Sequence, residues 1–145
     1  MSTIRDAGLM SQVTDYAGMQ YGQCRPTDID LSMDFNKEVF IFVELKFEGT
    51  SLTLGQRIHL IGLVDAIEAG GREAYAILAT HKTDRRDRIM ARDAFPVMVY
   101  SGGNWEMCED SNLDATIKTI HDNWKTKKRE AQKCPSSPLY RCKDT

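Results

Sequence analysis

The sequence predicts an α/β fold, a mixed sheet with helices packed on it. Three observations carry this. Residues 28–35 and 39–47 alternate or run apolar at strand spacing. Residues 53–69 then place apolar side chains at helical spacing behind a capping signal. A third apolar run, 73–80, follows directly, and a strand–helix–strand unit of this length implies parallel pairing.

Residues 4–18 read as a helix with Ile4, Leu9, Met10 and Val13 as its apolar positions, and 20–24 as a short strand stopped before Pro26. In 28–35, Ile29, Leu31, Met33 and Phe35 take one face and Asp28, Asp30, Ser32 and Asp34 the other. Asn36-Lys37 reads as a two-residue hairpin turn. The next run, VFIFVELKF, is β-branched and aromatic and apolar on both faces at its start, which suits a central strand.

Thr53 caps the following helix, with Gln56 three residues on, and Leu60, Leu63, Val64 and Ile67 form its stripe. Gly70-Gly71 ends it. Residues 81–93 read as a charged loop or short helix, and 95–100 with 104–108 as a hairpin around Ser101-Gly102-Gly103. Residues 112–132 form a last helix, with Leu113, Ile117, Ile120 and Trp124 inward. Trp105 and Trp124 read as core. The 145 residues suit one domain, 1–133, with a tail over 134–145.

No apolar run approaches the length of a membrane span, and the N-terminus lacks the apolar core of a secretory signal, so a cytoplasmic protein with no membrane partner is expected. Cys24, Cys108, Cys134 and Cys142 form no CxxC pair, and free thiols are expected. The net charge of −2 argues against bulk electrostatic nucleic-acid binding. Basic side chains nevertheless cluster over 82–92 and 125–133.

The chemistry concentrates in residues 25–57. Asp30 (with Asp28 as the alternative) and Glu44 fall on one face of adjacent strands, and Lys46 shares the face of Glu44. Two carboxylates suffice to hold Mg²⁺, and a divalent cation beside a lysine is the apparatus of phosphodiester hydrolysis. The acid-x-lysine triplet alone says little, because 21 acidic residues and nine lysines in 145 positions produce about one by chance. Its weight comes from the aspartates before it and from Gln56, which helical spacing turns toward the sheet. Arg57, Lys82, Arg85, Arg86, Lys127 and Lys128 are the positions for phosphate contact, and His81 closes a buried strand.

This stretch resembles the PD-(D/E)xK nuclease superfamily, in particular its small phage-type, resolvase-like and VRR-NUC-like members. Asp30 matches the lone acidic strand position, Glu44-Leu45-Lys46 the (D/E)xK tripeptide, and Gln56 a glutamine many members carry in the next helix. The resemblance implies a restriction-endonuclease-like αβββαβ core, DNA as partner and Mg²⁺- or Mn²⁺-dependent cleavage. It implies Asp30 and Glu44 as metal ligands, Lys46 as the residue that positions or activates water, and Gln56 in support. Pro26 stands four residues before Asp30, which keeps Asp28 in contention. Asp15 stands where some members carry a glutamate in the first helix. Double-strand cleavage would imply a homodimer, since one site cuts one strand. The rival readings are a catalytically weak DNA-binding module and a protein-interaction domain.

Overall fold

The computed structural model describes residues 15–133. Its sheet has five strands in spatial order β1(Leu31–Phe35), β2(Val39–Phe47), β3(Glu73–His81), β4(Phe95–Ser101) and β5(Asn104–Met107). β2 and β3 run parallel and every other pair is antiparallel. Helix α1(Leu54–Ala69) makes the crossover between β2 and β3, and α2(Leu113–Lys133) ends the described chain. The expected α/β class with a mixed sheet holds.

The two helices cover opposite faces. On one face Leu60 and Val64 of α1 pack on Phe42, Ala74, Ala76 and Tyr100. On the other, Leu113 and Ile120 of α2 pack with Val39, Ile41, Val43, Ile77 and Ala79. Alternation along β2 therefore supplies both cores, which is why that strand reads apolar on both sides. Among the described residues no helix is long and apolar enough to cross a membrane.

Four expectations change. The helix expected over 4–18 lies mostly outside the described residues, and 15–18 are not helical. The strand expected over 20–24 is a tight turn in which Tyr21 and Cys24 bridge only each other. The first sheet strand begins at Leu31 rather than Asp28, because the chain bends at Asp30. Before that bend Ile29 packs against the α1-side cluster, while Leu31 and Phe35, past it, pack on the α2 side. The hairpin link takes three residues, since Phe35 pairs with Val39. Asn36 and Lys37 both adopt positive φ, 52° and 59°, the left-handed pair of a type I′ turn.

β4 shows why a proline is tolerated within this sheet. Pro96 pairs with Ala79 where the ladder shifts register between Leu78 and Ala79. A residue without an N–H fits at such an irregularity, where a regular interior ladder position would lose a hydrogen bond.

The N-terminal end of the parallel pair is tied to α2 by polar contacts. Trp124 Nε1 donates to Glu38 at 2.6 Å, Lys128 pairs with Glu38 at 3.4 Å, and Lys127 pairs with Glu73 at 2.5 Å. Tyr75 donates its hydroxyl to Glu73 at 3.0 Å. Burial, reinforced by that bond, pushes the Tyr75 hydroxyl up to about 12 from 10.0. The folded state thus holds this proton more tightly than the unfolded chain does. The resulting stability is intact below pH 10 and is lost as pH rises toward about 12. Urea denaturation at stepped alkaline pH is expected to show that decline, and Tyr75→Phe to flatten it. The flattening is partial, because Tyr100, bonded to Asp65, is shifted in the same direction.

Candidate active site

The C-terminal end of β2 carries a buried acid. Glu44 is 4% exposed, on the face that α1 covers and past Phe40 and Phe42. A carboxylate there requires partners, and two are supplied. Lys46 Nζ lies 3.0 Å from Glu44 Oε1, two residues along the strand and therefore on the same face. Gln56 Nε2 donates to the same oxygen at 2.7 Å.

Gln56 has a double role that its sequence position leaves undecided. Its backbone N–H donates to Thr53 Oγ1 and its Oε1 accepts from the Thr53 N–H, both at 3.2 Å, which completes a capping box. The other half of the same amide holds Glu44. One side chain thus fixes the start of α1 and orients the acid.

Asp30 stands immediately before β1. Extending the hairpin register by one pair, from Leu31 opposite Val43, sets it opposite Glu44. Its Oδ2 accepts the Leu45 N–H at 2.7 Å, so the carboxylate stands in for a ladder carbonyl where the β1 ladder stops. Among the described residues its other oxygen has no hydrogen bond. Burial pushes the Glu44 carboxyl above the usual carboxylate range. The Lys46 ammonium opposes that rise, and the nearby charges of Asp30 and then Asp28 add to it. Both aspartates therefore act on Glu44, Asp30 the more strongly, although neither lies inside the strand as expected. Asp15 is exposed and accepts from the Ala17 N–H, and it does not figure among the charges acting on Glu44.

Among the described residues no three His, Cys, Asp or Glu converge on one point. What the strand ends bring together is a pair of hard oxygen donors, Asp30 and Glu44. That set fits Mg²⁺ or Mn²⁺, which complete their shells with waters and substrate oxygens.

The basic positions separate into two groups. His81 is paired with Phe47 at the same sheet end as Lys46, its ring edge-on to the phenyl at 5.7 Å. Beyond it a cleft of about 1010 Å³ is lined by Phe47, His81, Lys82, Arg85 and Arg86 among others. Lys82 pairs with Glu48 and Arg86 with Asp84, while Arg85 makes no ion pair among the described residues. Lys127 and Lys128 stand apart from that cleft. They are bound to Glu73 and Glu38 at the opposite end of the parallel strands, roughly 20 Å from Glu44 by the rise of a strand. Trp124, stacked on Phe35 at 5.5 Å, is core, as expected.

Two features escape sequence reasoning. One is the Leu45 amide that anchors Asp30, which no side-chain pattern reports. The other is Arg57, whose guanidinium lies 5.6 Å from the ring centre of Trp105. That contact requires β4 to pair with β3, so that the β4–β5 hairpin carries Trp105 to the α1 side, and that long-range pairing is not encoded locally.

Compared with protein-family models, with curated proteins and with solved structures, the chain matches none.

Proposed function

We propose that this protein is a Mg²⁺- or Mn²⁺-dependent nuclease that hydrolyses DNA phosphodiester bonds on a restriction-endonuclease-like core. The observation that carries the reading is Glu44: a buried acid at a strand end, held by Lys46 and Gln56 and facing Asp30. Structural ion pairs gain little from such burial. A site that must receive a cation gains a prearranged charge.

Asp30 and Glu44 are the residues that hold the metal. When bound, a divalent cation neutralises charge on the phosphate and acidifies a water. Lys46 keeps its ammonium beside that position, where it orients the attacking water or meets charge developing on the phosphoryl oxygens. Gln56 prevents the Glu44 carboxylate from rotating away, as outer partners of metal ligands do. The basic cleft beyond Phe47 and His81 takes the DNA backbone through Lys82, Arg85 and Arg86.

A second reading, a binding module without catalysis, draws on the fact that Lys46 and Gln56 already pair with one oxygen of Glu44. One set of experiments separates the two. Supercoiled, single-stranded, flap and four-way DNA are incubated with the protein in Mg²⁺ and in Mn²⁺. Cutting is expected on at least one of them and is expected to fall at least about a hundredfold in Glu44→Ala and in Lys46→Ala. Cutting that survives both substitutions undiminished, or none on any substrate, removes the enzymatic reading. Calorimetric Mn²⁺ binding is expected to be lost in Asp30→Asn and kept in Asp28→Asn; the reverse pattern transfers the ligand role to Asp28.

A further inference from the structure

A second cavity, of about 480 Å³, opens on the α1 face of the sheet beside the candidate site, between the β2–α1 loop and β4. Leu78 and Thr80 of its lining are the β3 partners of Glu44 and Lys46, so the cavity and the acid–lysine pair occupy neighbouring strands at the same sheet end. Its other walls include Leu52, Met98, Trp105 and Arg57, the residue after Gln56. The Arg57 guanidinium over the Trp105 ring makes a flat, cationic and apolar surface in this wall.

We infer that this cavity holds one unpaired nucleobase of the strand being cut, stacked on Trp105 and Arg57. The inference rests on the nuclease reading and narrows it to substrates with a single-stranded or frayed segment at the site. Aromatic and guanidinium planes are what proteins use to take bases of any sequence, since every base has a π-face. The volume lies in the range that encloses a small ligand, enough for one extruded nucleotide and closed to a stacked duplex. Trp105 is also suited to adjust. Its Nε1 is buried with no hydrogen-bond acceptor among the described residues. A half-buried indole is ordinarily pinned by that bond; here the ring is held by Tyr100, at 5.3 Å between ring centres, and by Arg57.

Binding without cleavage tests this. The full chain, in EDTA, is titrated into a labelled oligothymidylate of about a dozen nucleotides and into a blunt duplex of equal length. The single strand is expected to bind about tenfold tighter, the scale of one stacked base. Trp105→Leu and Arg57→Ala are each expected to remove most of that difference, and Trp105→Phe to keep most of it. Arg57 is exposed, so its substitution decides the matter should Trp105→Leu fail to fold. Equal affinity for the two forms, no binding to either, or a preference unchanged in Arg57→Ala overturns the inference. Thymidine monophosphate is added as competitor; displacement at concentrations near the strand's own Kd would assign the cavity to free nucleotides and overturn it as well. A preference carried by Trp105 and Arg57 in a protein that cuts nothing leaves the cavity assignment standing and removes the nuclease reading. Lys46-dependent cutting without that preference does the opposite.

Discussion

Lys46→Ala is expected to slow metal-dependent DNA cleavage by about two to three orders of magnitude, the usual loss when one prearranged charge is removed from a reacting phosphate or acyl centre. Lys46→Arg is expected to recover little. The ammonium lies 3.0 Å from Glu44 with its side chain only 18% exposed, and a planar guanidinium presents different donors in a larger volume. Single-turnover rates on the substrate that the wild type cuts best measure both. Gln56 separates orientation of the acid from capping of the helix. Gln56→Glu keeps a side-chain acceptor for the Thr53 N–H, so the capping box survives. It replaces the amide that donates to Glu44 with a carboxylate beside an acid already raised by burial and by Asp30. Thermal stability is expected to fall little and the rate by about tenfold or more, the range for partners of metal ligands. A rate unchanged in Gln56→Glu would leave Gln56 a capping residue alone.

The fold and the site were legible to different degrees, for a physical reason. Elements that bury a face leave a periodic trace, so 39–47, 53–69, 73–80 and 112–132 were readable within a residue or two of β2, α1, β3 and α2. The pairing of Glu44 with Lys46 was also readable, because period 2 within one strand is local. Asp30 was harder. Its alternating neighbours suggested a strand from Asp28, yet the ladder stops at Leu31, and a side-chain bond to the Leu45 amide replaces it. Alternation does not distinguish a residue inside a ladder from one that merely continues its rhythm. Lys127 and Lys128 show the converse limit. A basic cluster suggests an anion, and these lysines meet acids of their own chain, because α2 packs across one face of the sheet and brings its second half to Glu38 and Glu73, a tertiary contact that local sequence does not encode.

Leu60→Ala is expected to destabilise the protein by about 3 kcal/mol, within the span of roughly 2–5 kcal/mol for a buried leucine emptied to alanine. Leu60 is 2% exposed and packs with Val64 against Phe42, Ala74 and Ala76. The sheet side of that contact is largely alanine, so a neighbouring side chain has little reach with which to refill the space, and the loss should not fall to the low end. Ile58, two residues earlier and 62% exposed, provides the contrast: Ile58→Ala should remain within about 0.5 kcal/mol. Urea denaturation with a common m-value measures both. The same substitution reports on the site, because α1 is seated by Leu60 and Val64 and carries Gln56 one turn before Leu60. If Leu60→Ala lets the first turn of α1 shift, the 2.7 Å bond from Gln56 to Glu44 is the contact that lengthens. Activity below the melting transition should then fall to about the level of Gln56→Glu. A Leu60→Ala protein that loses stability but keeps its full rate would show that the capping box at Thr53 alone holds Gln56 in place.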